Sequence, residues 1–253
     1  MNVRVALFIF TWNDELMIGP AILFYRSVLG NGVDITVVDN ESYDKTTTIC
    51  KRMRVRVQSY GTNNLHDDVT LRKMKNECWK GSDADWIIVV DADEWVDVSQ
   101  KDLAGYTKRG VTIVEPKGFE MVSESDTTNL FSLRHSVRNT LYDKPCIFDH
   151  RAIVDICFTT GCHDARPVER GGDVHWWNVM EGLRIQRPTL YHMKYYSLAY
   201  LLDRVSVLQK RQAPRQGKLM VSYNVQDTVR RFLERRSKAT KHDGLPTIFY
   251  RLG

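Results

Sequence analysis

Asp91 and Asp93 stand one residue apart, with Glu94 directly after, at the end of the apolar run Trp86-Ile87-Ile88-Val89-Val90. A short, mostly β-branched run of this kind reads as a buried strand. Carboxylates are rarely buried without a partner. At the carboxyl end of a core strand, where open α/β sheets bind ligands, their natural partner is a divalent cation. Hard cations such as Mg²⁺ and Mn²⁺ take oxygen ligands, often one or two carboxylates together with substrate phosphates. The Asp-x-Asp triplet alone is short, and a strand ending in a solvated acidic turn has the same pattern.

Three further groups carry chemistry. Thr11-Trp12-Asn13-Asp14-Glu15 is a polar cluster after the first apolar run. Asp39-Asn40-Glu41-Ser42-Tyr43-Asp44-Lys45-Thr46 follows the second. There Asp39 can accept from a nucleobase N–H, while Ser42, Asp44 and Thr46 can fix the turn and start a helix. Lys75-Asn76 lies near the end of the helix preceding Asp91, where a lysine can neutralise a phosphate; solvated helix lysines are commoner.

These residues need elements to position them. Val3 to Phe10 is expected as a strand, Glu15 to Leu29 as a helix stopped by Gly30 and Gly32, and Asp34 to Val38 as a strand. A helix over Thr46 to Met53, a strand over Val55 to Ser59 and a helix over Asp67 to Lys80 follow. Strands alternating with helices of this length imply βαβ units and a largely parallel sheet. Right-handed crossovers then put the Asp39 and Asp91 turns on one sheet edge. Beyond Glu94 the pattern changes, with strands at Val111 to Val114, at Phe119 to Val122 and within Cys146 to Phe158. Helices are expected over Tyr196 to Gln212 and Val225 to Lys238. The fold class is α/β: a mixed, mostly parallel central sheet flanked by helices, with C-terminal helices. The expected organisation is one domain over 1–203, its halves meeting near 97, and a basic helical extension over 204–253 packed on it.

At 253 residues, 43% apolar and 26% charged, the composition is that of a soluble globular domain with a sizeable core. No apolar run reaches the roughly 20 residues needed to span a bilayer. The five cysteines (Cys50, Cys78, Cys146, Cys157, Cys162) are an odd set with no Cys-x-x-Cys pair. That argues against a disulfide framework and a zinc knuckle and suits a reducing, cytoplasmic compartment. Net charge is +5, but Arg204 to Lys241 holds eleven Lys/Arg against two acids. That segment is expected to face an anion: a phospholipid surface, touched peripherally, or a phosphorylated acceptor. A solvated helical face would carry the same charges. No nucleic-acid-binding motif accompanies them, and oligomeric state is not legible.

In its ordered set of motifs the chain resembles the GT-A glycosyltransferases, in particular the family 2-like group. The resemblance runs through Asn13-Asp14-Glu15, Leu29-Gly30, the Asp39-to-Thr46 turn, Lys75-Asn76 and Asp91-Ala92-Asp93-Glu94. It continues with Tyr142-Asp143-Lys144-Pro145, Gly161-Cys162-His163 and the run Tyr191 to Ser197, covering about residues 3 to 204. It implies a nucleotide-diphosphate-sugar donor (UDP-, GDP- or dTDP-linked) and a hydroxyl acceptor on a glycan, lipid or protein, with inversion at the sugar. The implied donor-binding set is Thr11, Trp12, Asn13, Asp39, Lys75, Asp91 and Ala92, with Thr11 and Asp39 on the base. The implied metal set, for Mn²⁺ or Mg²⁺, is Asp91, Asp93 and His192. Asp164 is the implied base, with Asp155 and Glu169 behind it, although no Glu-Asp pair opens a helix after the glycine turn as the group's pattern would have it. His175-Trp176-Trp177 could form an aromatic platform for a sugar ring. A sugar-nucleotide pyrophosphorylase would need a Gly-rich basic loop where Thr11 to Glu15 stands. A non-enzymatic membrane- or nucleic-acid-binding module is the alternative of a different class.

Overall fold

The computed structural model describes residues 3–125, 129–159, 163–170, 187–211 and 224–252. Gly161, Cys162, Gly171, Gly172 and His175-Trp176-Trp177 lie outside the described residues, as does the side chain of Glu169. The first half is a strand–helix alternation: β1 (Val5–Thr11), α1 (Ile18–Leu29), β2 (Asp34–Asp39), α2 (Thr46–Arg52), β3 (Arg56–Ser59), α3 (Asp68–Glu77) and β4 (Trp86–Asp91). Gly30 ends α1 with φ +85°, a conformation open to glycine at little cost. The second half holds β5 (Glu94–Asp97), α4 (Gln100–Lys108), β6 (Ile113–Val114), β7 (Lys117–Val122), β8 (His135–Arg138), β9 (Ile147–Asp149), β10 (Ile153–Phe158) and β11 (Ala165–Glu169). It closes with β12 (Thr189–Tyr195), α5 (Leu198–Arg211), α6 (Val225–Lys238), β13 (Thr240–Lys241) and α7 (Thr247–Arg251).

The central sheet runs β3-β2-β1-β4-β9-β6. Its first four strands are parallel, and β9 and β6 add antiparallel. Apolar side chains bury both faces of β1 and β4, as expected for parallel strands covered on two sides. The register puts Thr11 beside Asp39 and Phe10 beside Asp91, so the three acidic or polar strand ends share one edge. A second sheet, β13-β8-β7-β12-β5, stands next to the first, and β10-β11 form a separate hairpin. The chain crosses from the first sheet to the second within the two residues between β4 and β5, Ala92 and Asp93.

Several elements differ from the sequence expectation. Thr189–Tyr195 is a strand, buried on both faces, where only a polar-aromatic run was expected. It pairs with β5 and β7, and the alternation Tyr191-His192-Met193-Lys194-Tyr195 is the pattern of a strand. The helix α4 carries a readable start: Ser99 accepts from the Asp102 N–H while Asp102 accepts from the Ser99 N–H. The C-terminal residues join the main core, because the Phe249 ring packs against Phe24, Trp95, Phe131 and Tyr191. Among the described residues no helix is long and apolar enough to cross a membrane.

Candidate functional site

The Asp91-to-Glu94 turn is held from several directions. The Ala92 N–H donates to the Phe10 carbonyl (2.9 Å), and the Met193 N–H donates to the Asp93 carbonyl (2.7 Å). The Trp95 indole donates to the Ala92 carbonyl (3.1 Å), and the Asp91 N–H donates to the Glu94 carboxylate (3.0 Å). Glu94 is itself clamped by Lys144 at 2.5 Å, and both side chains are buried. Burial works against the Lys144 ammonium, but Glu94 and then Asp91 outweigh it and hold it charged.

The two aspartates then diverge. Asp91 Oδ1 meets Lys75 Nζ at 2.6 Å, with Lys75 only 2% exposed and lying over the Phe10 ring. Asp93 Oδ2 meets His192 Nε2 at 3.2 Å. His192 is placed there by the β5–β12 register, which sets it opposite Glu94. Its ring is stacked on Tyr142, with centroids 3.9 Å apart. Gly118 makes that stack feasible, because a Cβ there would stand 2.4 Å from Tyr142 Cβ. About a third of each aspartate side chain is reached by water through the cavity, though protein surrounds both. Burial opposes ionisation of each. Lys75 and Lys144 outweigh it at Asp91, and His192 outweighs it at Asp93, so both carboxyls lie below the ordinary carboxylate range.

The loops after β1 and β2 are knitted together. Asn13 N–H donates to Ser42 Oγ (2.8 Å), and Asn13 Oδ1 accepts from the Tyr43 N–H (2.9 Å). Asp14 N–H donates to Thr46 Oγ1, and Asp44 Oδ1 accepts from the Thr46 N–H, both at 2.9 Å. Asp39 Oδ2 accepts from the Ser42 N–H (3.1 Å). Asp39 Oδ1 is buried and has no partner among the described residues.

The helix α5 closes over these loops. Arg204 donates to the Trp12 carbonyl (2.7 Å) and pairs with Asp14 (3.2 Å). About two turns further along the same face, Arg211 donates to Asn40 Oδ1 (2.6 Å) and lies 3.4 Å from the centroid of the Trp12 ring. Burial, with Arg204 nearby, pulls Arg211 down to about 10.

A cavity of about 290 Å³ opens between the strand ends and α5. Thr11, Trp12, Asp91, Ala92, Asp93 and His192 all line it. Asn13, Asp39 and Lys75 stand behind its wall: Asn13 braces the second loop, and Lys75 is drawn to Asp91 rather than left open to a phosphate. Asp93 and His192 are thus brought together, whereas Asp91 turns to Lys75. No cluster of three or more His, Cys, Asp or Glu side chains gathers among the described residues. Asp164 is exposed in the β10–β11 turn, off the cavity wall, with Oδ1 accepting from the Ala165 N–H (2.7 Å). Asp155 pairs with Lys80 at 3.1 Å.

Sequence reasoning missed Lys144, Tyr142, Arg204 and Arg211 as parts of the site. For the two arginines a signal existed: seven residues apart on a helix, they share a flank of the apolar face of α5. For Lys144 and Tyr142 the signal was their place in the Tyr142-Asp143-Lys144-Pro145 run, but the role of Lys144 depends on Glu94 fifty positions away.

No family model matches the sequence, and no curated protein does. Among solved structures it is similar to S. aureus TarS at 15% identity, covering 92% of this chain and 43% of that one, TM-score 0.49. It is similar to the mannosyltransferase PcManGT from Pyrobaculum calidifontis, in complex with GDP-Man and Mn²⁺, at 16% identity over 46% of this chain and 36% of that one, TM-score 0.36. It is also similar to glucosyl-3-phosphoglycerate synthase from Mycobacterium tuberculosis, in complex with Mn²⁺, UDP and glucosyl-3-phosphoglycerate, at 18% identity over 47% and 44%, TM-score 0.34. The chain spans less than half the length of each of these three structures. Likenesses this distant leave the chemistry to the residues themselves.

Proposed function

We propose that the chain is a metal-assisted glycosyltransferase that uses a nucleoside-diphosphate sugar. The observation that carries this reading is the Asp93–His192 pair, 3.2 Å apart on the wall of a cavity at the carboxyl edge of a parallel sheet. Two donors of one small divalent ion bonded at about 2.1 Å stand about 3 Å apart when adjacent, so carboxylate and imidazole together fit such an ion. An imidazole ligand favours Mn²⁺ over Mg²⁺. When bound, the ion would offset charge on the departing diphosphate.

The chain's own residues do the rest. Tyr60 gives an aromatic face for a base on the cavity wall, and the unpartnered Asp39 Oδ1 offers an acceptor for a base N–H behind it. Lys75 keeps Asp91 ionised and fixed, so the turn holds its shape as charge develops beside it. In the transfer the acceptor oxygen bonds to the anomeric carbon. The anomeric C–O bond breaks, its electron pair leaves with the nucleoside diphosphate, and the hydroxyl proton is released.

Thermal denaturation with UDP, GDP or dTDP, each with and without Mn²⁺, tests this. At least one should stabilise the protein only when Mn²⁺ is present, by about 2.7 kcal/mol at a hundredfold excess over Kd. Asp93→Asn should abolish that shift while leaving the ligand-free melting temperature within a few degrees. Absence of a Mn²⁺-dependent shift with every nucleotide would sink the reading.

A further inference from the structure

The cavity has a second wall whose charge the donor does not account for. Lys194 lies two residues beyond His192 on β12 and lines the same cavity. Arg231 and Thr228, three apart on α6, line the cavity with it. Around them the other charged groups are engaged, Arg211 by neutral acceptors and the rest by opposite charges. Arg235 is engaged by buried Glu120 and stacks on Tyr195, Arg204 pairs with Asp14, and Asp93 pairs with His192. Lys194 and Arg231 are exposed and close no ion pair among the described residues, although Asp93 and Glu120 lie near enough to favour the Lys194 ammonium. Two like charges facing one cavity repel each other, and an anion seated there would relieve that repulsion. The base and the metal-bound diphosphate are provided for by β1, β2, β4 and His192, which leaves this pair to the other substrate.

We infer that Lys194 and Arg231 bind a phosphate group on the acceptor, so that the sugar is delivered to a hydroxyl of a phosphorylated molecule. This rests on the glycosyltransferase reading above. The same phosphate chemistry is offered by a soluble polyol phosphate and by an anionic lipid headgroup, and the test separates them.

The protein is first saturated with Mn²⁺ and the nucleoside diphosphate that stabilises it. Calorimetric titration with glycerol 3-phosphate, with uncharged glycerol as control, reads a soluble source; co-sedimentation with phosphatidylglycerol against phosphatidylcholine vesicles reads a lipid source. Binding of the phosphate-bearing partner alone, in either arm, is expected. The Lys194→Met/Arg231→Met double variant should weaken it at least tenfold while nucleoside diphosphate affinity stays within twofold. Both side chains are exposed, so folding should survive, and an unchanged melting temperature checks it. The inference is overturned if neither phosphate source binds, if nucleoside diphosphate displaces the phosphate, or if the double variant loses nucleotide affinity instead. Failure of the phosphate arms with nucleotide binding intact removes only the acceptor assignment; failure of every nucleotide to bind removes the transfer reading itself.

Discussion

The floor of the cavity, made by the ends of β2, β1 and β4 with the Asp91-to-Glu94 turn, handles charge differently from the roof contributed by β12, α5 and α6. On the floor, Lys75 and Lys144 are almost wholly buried and each is matched to one carboxylate, Asp91 and Glu94. These charges are neutralised in place, and what they give the protein is a fixed turn. On the roof, Arg204 and Arg211 reach backbone carbonyls and a neutral amide as much as carboxylates, and Lys194 and Arg231 close no ion pair among the described residues. Roof charge therefore remains available to an anion. A site of this kind separates rigidity from attraction: matched pairs underneath hold geometry, and surplus cations above draw in substrate.

The sharpest way to break the comparison is to unbalance the floor. Lys144→Met leaves Glu94 buried without its cation beside the Asp91 N–H. Removing one partner of a buried pair costs about 3–5 kcal/mol, and urea denaturation should show a loss of that size. Lys144→Met/Glu94→Leu removes both charges and should recover much of the loss, since a pair replaced by apolar groups is often tolerated. The double variant should still fail to bind Mn²⁺ with nucleotide normally, because the Asp91 N–H loses its acceptor. A Lys144→Met protein within 1 kcal/mol of wild type would mean that the floor is not organised by matched pairs.

The two regions also differ in how far the sequence reveals them. Each floor residue ends an apolar strand and opens a turn rich in Asp, Asn, Ser and Thr, so Thr11, Asp39 and Asp91 could be placed on one edge from local pattern and crossover handedness alone. The roof depends on packing between segments far apart in the chain. His192 sits on a strand whose run Tyr191-His192-Met193-Lys194-Tyr195 alternates apolar and polar residues, a strand signal that sequence reasoning missed. Arg211 reaches Asn40 across 171 positions, a contact no periodicity encodes. The Asp-x-Asp spacing set both carboxylates towards a cation; in the structure Lys75 contacts Asp91, because a buried ammonium needs a counter-charge, and His192 contacts Asp93. The Ser99…Asp102 capping box, by contrast, was plain in the sequence, and the α4 helix it starts could have been read from it.

A smaller effect concerns the far end of β5, outside the matched pairs. Burial, with Asp102 adding repulsion, pushes the Asp97 carboxyl up to about 6. The folded protein therefore holds a proton that the unfolded chain releases near pH 4, so this group's contribution to stability falls as pH rises from about 4 to 6. Asp97→Asn should raise stability at pH 7.5 by about 1–2 kcal/mol, allowing for partial exposure. The gain should vanish below pH 4, where both proteins carry a neutral group. A gain independent of pH would show that Asp97 acts by packing and not by charge.

The smallest effect expected is at Asp164, which belongs to neither floor nor roof. Its carboxylate is exposed and already accepts from its neighbour's N–H, and the β10–β11 hairpin that carries it stands off the cavity wall. A general base has to lie within about 3 Å of the proton it removes, or one water away. Asp164→Asn should therefore change Mn²⁺-dependent donor hydrolysis, and transfer where an acceptor is supplied, by less than threefold. A loss of a hundredfold with unchanged nucleotide affinity would place that hairpin over the cavity during turnover. The site would then have a third wall, and floor and roof alone would not account for the chemistry.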